Sequence, residues 1–238
     1  SDKKLALQQA IAESEKKFLE IAKQSGDNSG SCALVCLLEK TKVVIGNVGD
    51  SRVVVSMHRG KSAQQVTNDH KPECDSEKKR IFQHGGHIFR SKKTALREIV
   101  DAHGKTSEVM EEIRYGPFRV EPGGLSVSRT IGDLQAKDIT RRGNPNCIVA
   151  DPEIFEIDLT LDHDFMVVAC DGVFDVLTTK EVVDAAWKVL SQNSRQKGIK
   201  EACRLAAEYI MKLSFDKKSM DNITVIVIAF QPEEYYYC

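Results

Sequence analysis

Apolar residues at Leu7, Ile11, Phe18 and Ile21 recur at helical spacing between Leu5 and Ala22, with Lys and Glu on the positions between them. That pattern predicts a first helix with one buried face. The cluster SGDNSGS at 25 to 31 ends it, because Gly, Ser, Asn and Asp halt regular structure. Three short runs follow, CALVCLL (32 to 38), TKVVIGNV (41 to 48) and SRVVVSM (51 to 57), each rich in β-branched residues. Strands joined by such short links pair antiparallel. A helix is predicted over 73 to 84, stopping at Gly85 and Gly86. From 90 to 117 the rhythm breaks into interleaved Lys, Arg and Glu, and the expectation is an inserted helical or mobile excursion. Strand patterns resume at IFEIDL (154 to 159) and FMVVAC (165 to 170), helical windows at about 179 to 190 and 197 to 213, and a last strand at ITVIVIAF (223 to 230). No repeat or low-complexity linker marks a boundary, so the reading is one mixed domain over 1–238 with a variable insertion at about 90–117.

Composition narrows the function classes. With 34 Lys+Arg against 35 Asp+Glu, the formal net charge is -1, which supplies no global field for nucleic acid or an anionic membrane. No apolar run approaches the roughly 20 residues of a membrane span. No partner of either kind is expected, and the chain is expected to be a monomer. The seven cysteines are odd in number and show no CxxC pairing, so they read as reduced thiols and the expected location is cytoplasmic or nuclear.

The chemistry concentrates where strands end. MVVACDG is an apolar strand running directly into Asp171 and Gly172, and MDNITVIVIAF places Asp221 and Asn222 just before an equally apolar strand. If those strands pair antiparallel, the end of one lies beside the start of the other and the two carboxylates share an edge. Two close carboxylates repel unless a proton or cation sits between them. Oxygen donors without Cys or His favour Mg²⁺ or Mn²⁺ over zinc. The alternative, two turn or cap aspartates, stays open at this point, since Asp-Gly and Asp-Asn form turns readily. Asp69 in TNDHKP is a candidate third ligand or an Asx-type turn before Pro72, and Asp50 in NVGDSR reads as a hairpin residue. His84 and His87 flank a glycine pair and read as solvated loop residues. Cys32 and Cys36, an even number apart on a strand, read as core residues. No Walker motif, dinucleotide fingerprint or GxSxG elbow is present.

The segments SGSCALV (29 to 35), GNVGDSRVVV (46 to 55), DHKP (69 to 72), RIFQHGGHI (80 to 88), GGLSVSRTIGD (123 to 133), DPEI (151 to 154), VVACDGVFDVL (167 to 177) and DNITVIVI (221 to 228) stand in an order that resembles the metal-dependent Ser/Thr protein phosphatases of the 2C type, most closely the eukaryotic branch. The resemblance implies an α+β fold, a β-sandwich of two mostly antiparallel sheets flanked by helix pairs in α-β-β-α layers. It implies two Mg²⁺ or Mn²⁺ ions, held in part by Asp171 and Asp221, and a third, weaker metal near Asp69. Asp175 in the VFDV continuation is a further, weaker candidate ligand. The implied activity is hydrolysis of phosphoserine and phosphothreonine in phosphorylated protein substrates, by hydroxide that the metals activate.

Two departures stand beside the match. The family's glutamate-aspartate segment, phosphate-binding arginine and Asp-Gly-His segment, all upstream of SGS, are not in this sequence, so the sandwich and the metal cage are expected to be incomplete at the amino-terminal side. Phe174 stands where the family has Trp. The alternative function these departures raise is a non-catalytic, phosphatase-like binding or regulatory protein with an incomplete metal site.

Overall fold

A computed structural model describes residues 2–100, 104 and 106–237. The first half of the chain forms α1 (Lys3–Ser25), β1 (Gly30–Ser31), β2 (Ala33–Glu39), β3 (Lys42–Val48), β4 (Arg52–Met57), β5 (Ser62–Gln65), α2 (Asp75–Gln83), β6 (His87–Val100) and β7 (Thr106–Glu121). The second half forms β8 (Ile131–Gly132), α3 (Leu134–Lys137), β9 (Glu153–Asp158), β10 (His163–Ala169), α4 (Asp171–Phe174), α5 (Thr179–Lys197), α6 (Ile199–Asp216) and β11 (Val225–Ala229), with 3-10 turns at Ile139–Arg141 and Glu233–Tyr236. Two compact units result: Ser1–Asp69 with Arg129–Gly132 and Ala150–Cys238, and His70–Ser128 with Asp133–Val149.

The first unit holds two larger sheets, ordered β11-β10-β4-β5 and β2-β3-β9, and the short pair β1-β8, all antiparallel. Period-2 alternation decides what faces what. Val43 and Ile45 of one sheet meet Val53, Val55 and Met166 of the other in the core between the sheets. Val44 and Val48 point the opposite way, under Leu7 and Ile11 of α1. Val54, Phe165, Val167 and Ala169 face outward onto Val182, Val183, Ala186 and Leu190 of α5 and Ala202, Ala206 and Ile210 of α6. Layers of α, β, β and α follow, as the α+β sandwich reading requires. Each fully buried aliphatic side chain contributes about 1.5–3 kcal/mol to that packing.

Helix α1 runs longer than its apolar pattern, capped by the Asp2 side chain at Lys4 N and Leu5 N and ended by Gly26 at φ 77°. Its buried stripe also differs at one place. Ile21 is 62% exposed and Ala22 is buried instead, because 22 is nearly in phase with 11 and 21 is about eighty degrees off it.

The second unit contains the one large departure from expectation. The segment 90–117 is not helical: β6 and β7 form a two-stranded antiparallel ribbon, paired from His87↔Glu121 to Val100↔Thr106 with register shifts between Arg90 and Lys92 and between Ile99 and Val100. A ribbon outside any larger sheet needs no apolar face, so it leaves no one-sided pattern to read. Positions 101–103 and 105 of the expected excursion lie outside the described residues. At the ribbon's base Arg90 lies over the rings of Tyr115 (5.2 Å) and Phe118 (4.6 Å). The unit's small core gathers Ile81, Val120, Ala136, Cys147 and Ile148. Beside it, buried Glu77 accepts from Arg80 Nη2 and from Ser128 Oγ, both at 2.5 Å. Helix α2 ends at Gln83 with His84 as its cap and Gly85 turning the chain at φ 77°, and Gly86 follows where a Cβ would sit 2.6 Å from Cys147 Sγ. His84 and His87 are both exposed.

Candidate metal centre

The rim of the four-stranded sheet is built where β10 stops. Ala169 pairs with Val225 on one side and Arg52 on the other. One step further, Cys170 N–H donates to Thr224 O (3.3 Å), and its thiol donates to Asn222 O while accepting from Thr224 N–H, each at 3.2 Å. This lacing ties the start of α4 to the turn before β11. Gly172 shows how close the two backbones come: a Cβ there would lie 2.2 Å from Asn222 O and 3.5 Å from Asp221 Cβ. Ser219 Oγ closes the turn by donating to Gly172 O at 2.7 Å. The antiparallel pairing thus brings Asp171 and Asp221 to one edge. Each carboxylate is oriented by the next residue's amide, Gly172 N–H to Asp171 Oδ1 (2.9 Å) and Asn222 N–H to Asp221 Oδ1 (2.7 Å).

The link between β3 and β4 reaches the same rim. Asp50 is 7% exposed and accepts from Cys32 Sγ at 3.5 Å, and Gly49 at φ 110° leaves room for that sulfur, which a Cβ would approach to 2.2 Å. Burial, with the negative charges of Asp50 and then Asp171, pushes the Cys32 thiol up to about 12. Cys32 is therefore a rim residue, not a core residue as its spacing from Cys36 suggests; it precedes β2, while Cys36 does pack between the sheets. Asp50 keeps its place in a tight link but is buried at the rim, which a hairpin reading does not convey.

Asp69 lies in a different arrangement. Arg52 clasps it with two bonds, Nε to Oδ1 at 2.9 Å and Nη2 to Oδ2 at 2.6 Å, and Gln65 Nε2 approaches Oδ1 at 3.4 Å. The Arg52 guanidinium also stacks 4.4 Å from the centre of the Phe174 ring, so the aromatic that replaces the family's Trp packs on a cation. Asp175 is exposed, follows α4, and lines an open groove of about 570 Å³ with Arg52, Phe174, Thr179 and Lys180. Arg52 is the rim residue that sequence reasoning did not single out. Nothing in GDSR sets it apart from an ordinary residue at the start of a strand, because its partner Asp69 comes from a distant loop.

Asp171 and Asp221 are donors of the type a hard divalent ion takes. In number they fall short, since Mg²⁺ takes six oxygens and among the described residues no group of three or more His, Cys, Asp or Glu side chains is placed to hold a metal. The rim accordingly presents part of a coordination set, and Asp69 is engaged elsewhere.

Two antiparallel sheets between helix layers, with Asp171 and Asp221 at one rim, make up the α-β-β-α sandwich. The same fold occurs in the serine-threonine phosphatase 2C from Toxoplasma gondii, at a TM-score of 0.64 and 20% identity over 96% of this chain and 67% of that one. It occurs also in a C. elegans sex determining protein, at a TM-score of 0.73 and 18% identity over 97% of this chain and 48% of that one. The chain belongs to the protein phosphatase 2C family, whose model matches residues 1–223. Protein phosphatase ppm-1.A of Caenorhabditis elegans is 33% identical over 228 residues, 94% of this chain and 41% of that protein. The chain spans between 35% and 50% of the length of the curated relatives it matches.

Proposed function

We propose that this chain supplies part of the active site of a Mg²⁺- or Mn²⁺-dependent phosphatase that hydrolyses phosphoserine and phosphothreonine in phosphorylated proteins. The observation that carries the reading is the convergence of Asp171 and Asp221 across the laced turn at Cys170, in a chain of the 2C family. In this reading both carboxylates hold divalent ions, together with ligands from the family's Asp-Gly-His segment in a longer polypeptide. A bound divalent ion supplies Lewis acidity that activates water and neutralises phosphoryl charge. The chain's own contribution is positional. Amides of Gly172 and Asn222 fix the carboxylate rotamers, and the Cys170 thiol and Ser219 hydroxyl fix the two backbones that carry them. Such support matters because small displacements at a reacting centre lower rates steeply. The β6–β7 ribbon is proposed to contribute to the choice of phosphoprotein, through Arg90, Lys92 and the aromatic rings at its base.

The test is hydrolysis of an aryl phosphate with Mn²⁺, with and without EDTA, by this chain and by a longer polypeptide that includes the Asp-Gly-His segment. The longer protein is expected to be active, to lose activity in EDTA, and to lose on the order of a hundred-fold in kcat with Asp171→Asn or Asp221→Asn. An inactive longer protein, or one unaffected by EDTA, sinks the reading.

A further inference from the structure

The resemblance makes Asp69 a ligand for a third cation, and its surroundings disagree. Both carboxylate oxygens face the Arg52 guanidinium, at 2.9 Å and 2.6 Å, in the bidentate geometry that matches fork to carboxylate. The pair is well covered, with 15% of the Arg52 side chain and 10% of the Asp69 side chain exposed. Arg52 is also held from two other directions, by the Phe174 ring at 4.4 Å and by Thr179 Oγ1 at 3.5 Å from Nη1. Its backbone is pinned as well, because Arg52 opens β4 opposite Ala169, two residues before Asp171.

We propose that Arg52 is a built-in counter-cation that occupies Asp69, so that a divalent ion reaches this carboxylate only by displacing the guanidinium. A guanidinium does not release its proton at any ordinary pH, so it cannot yield by becoming neutral. A metal ion that took Asp69 would leave a mostly buried positive charge without its partner, and separating such pairs is strongly unfavourable. The open groove along Phe174, Asp175 and Thr179 is the space into which Arg52 would swing, with Asp175 the acidic residue and Lys180 the other basic one among those lining it. Arg52 is on this account a positioning residue that sets how weakly Asp69 binds cations. The inference rests on the reading of the rim as a cation site, and its test separates the two.

The test is Mn²⁺ binding to the longer polypeptide that includes the Asp-Gly-His segment, followed by the loss of the free-ion electron paramagnetic resonance signal, for the wild type, Asp69→Asn, Arg52→Gln, Arg52→Lys, Arg52→Gln with Asp69→Asn, and Asp171→Asn. Circular dichroism melts run alongside to establish that each variant is folded. Asp69→Asn is expected to leave wild-type Mn²⁺ binding unchanged, whereas Arg52→Gln gains Mn²⁺ affinity at least about ten-fold tighter at a site that Asp69→Asn then abolishes. Arg52→Lys, which keeps the charge but loses the fork, is expected to fall between them. Loss of Mn²⁺ binding on Asp69→Asn in the wild-type background overturns the proposal, as does a folded Arg52→Gln or Arg52→Lys with no gain. Unchanged binding on Asp171→Asn, by contrast, strikes at the rim reading and leaves the Arg52 result to stand or fall by itself.

Discussion

Gly172 is the residue on which the geometry of the rim depends most. Its missing side chain lets the start of α4 lie against the Asn222 carbonyl, and an added Cβ would meet that backbone oxygen at 2.2 Å. The obstacle is backbone, not the tip of a flexible side chain, so the turn carrying Asp221 must move. Gly172→Ala is expected to lower stability by about 1–3 kcal/mol in denaturant melts and to weaken Mn²⁺ binding although no ligand is changed. Wild-type stability and wild-type Mn²⁺ affinity in the alanine variant would show that the close approach is not needed. At this scale the sequence was informative about Asp171 and Asp221, because two apolar strands each ended beside an acidic turn and antiparallel pairing left them nowhere else to meet. It was silent about Arg52. A lone arginine two residues from an aspartate looks like an ordinary strand residue, and only the distant loop at Asp69 reveals its partner.

Among the elements, α5 shows how local chemistry fixes a helix that backs the site. Thr178 caps its first turn and Glu181 answers with bonds to Thr178 N–H and hydroxyl, a capping box signalled by the Thr-x-x-Glu spacing. Lys217 also reaches Glu181, at 2.5 Å, and together these bonds draw the carboxyl down from 4.5 to about 2, Lys217 contributing most. A folded pKa below the unfolded one means stability that is present above the unfolded pKa and is lost as pH falls through the folded one. The contribution of Glu181 should therefore be whole above pH 4.5 and fade toward pH 2. Comparison of Glu181→Gln with the wild type by thermal melts is expected to show a gap at neutral pH that closes over that range; a gap independent of pH would contradict the assignment. The ribbon of β6 and β7 is the element that the pattern of residues concealed. Strands central to a packed sandwich, as β3 and β4 are, are buried on both faces and read as nearly continuous apolar runs, whereas β6 and β7 pair only with each other and interleave Lys, Arg and Glu in their sequence. If the ribbon serves substrate choice, shortening it across 92–115 should reorder phosphopeptide substrates and leave a small aryl phosphate little affected. Equal losses on both would remove it from that role.

For the molecule as a whole, most of the sandwich was legible because its sheets are antiparallel, its links short and its core strands nearly continuous runs of Val and Ile. What remained hidden has a common cause: β5 is too short and polar to announce itself, and the clasp of Asp69 by Arg52 depends on the pairing of chain segments that no local pattern encodes. The division into two compact units was equally invisible, since His70–Ser128 and Asp133–Val149 join through the fold and not through a linker. Membership of the 2C family covers both units, with the family model extending over residues 1–223. The central claim is that Asp171 and Asp221 act together on one divalent cation site. The most direct measurement is a double-mutant cycle on Mn²⁺ affinity in the longer polypeptide, with Asp171→Asn, Asp221→Asn and both. The account predicts that either substitution alone weakens binding by about ten- to a hundred-fold and that the second adds little to the first. Fully additive losses, or none from either substitution, would contradict it.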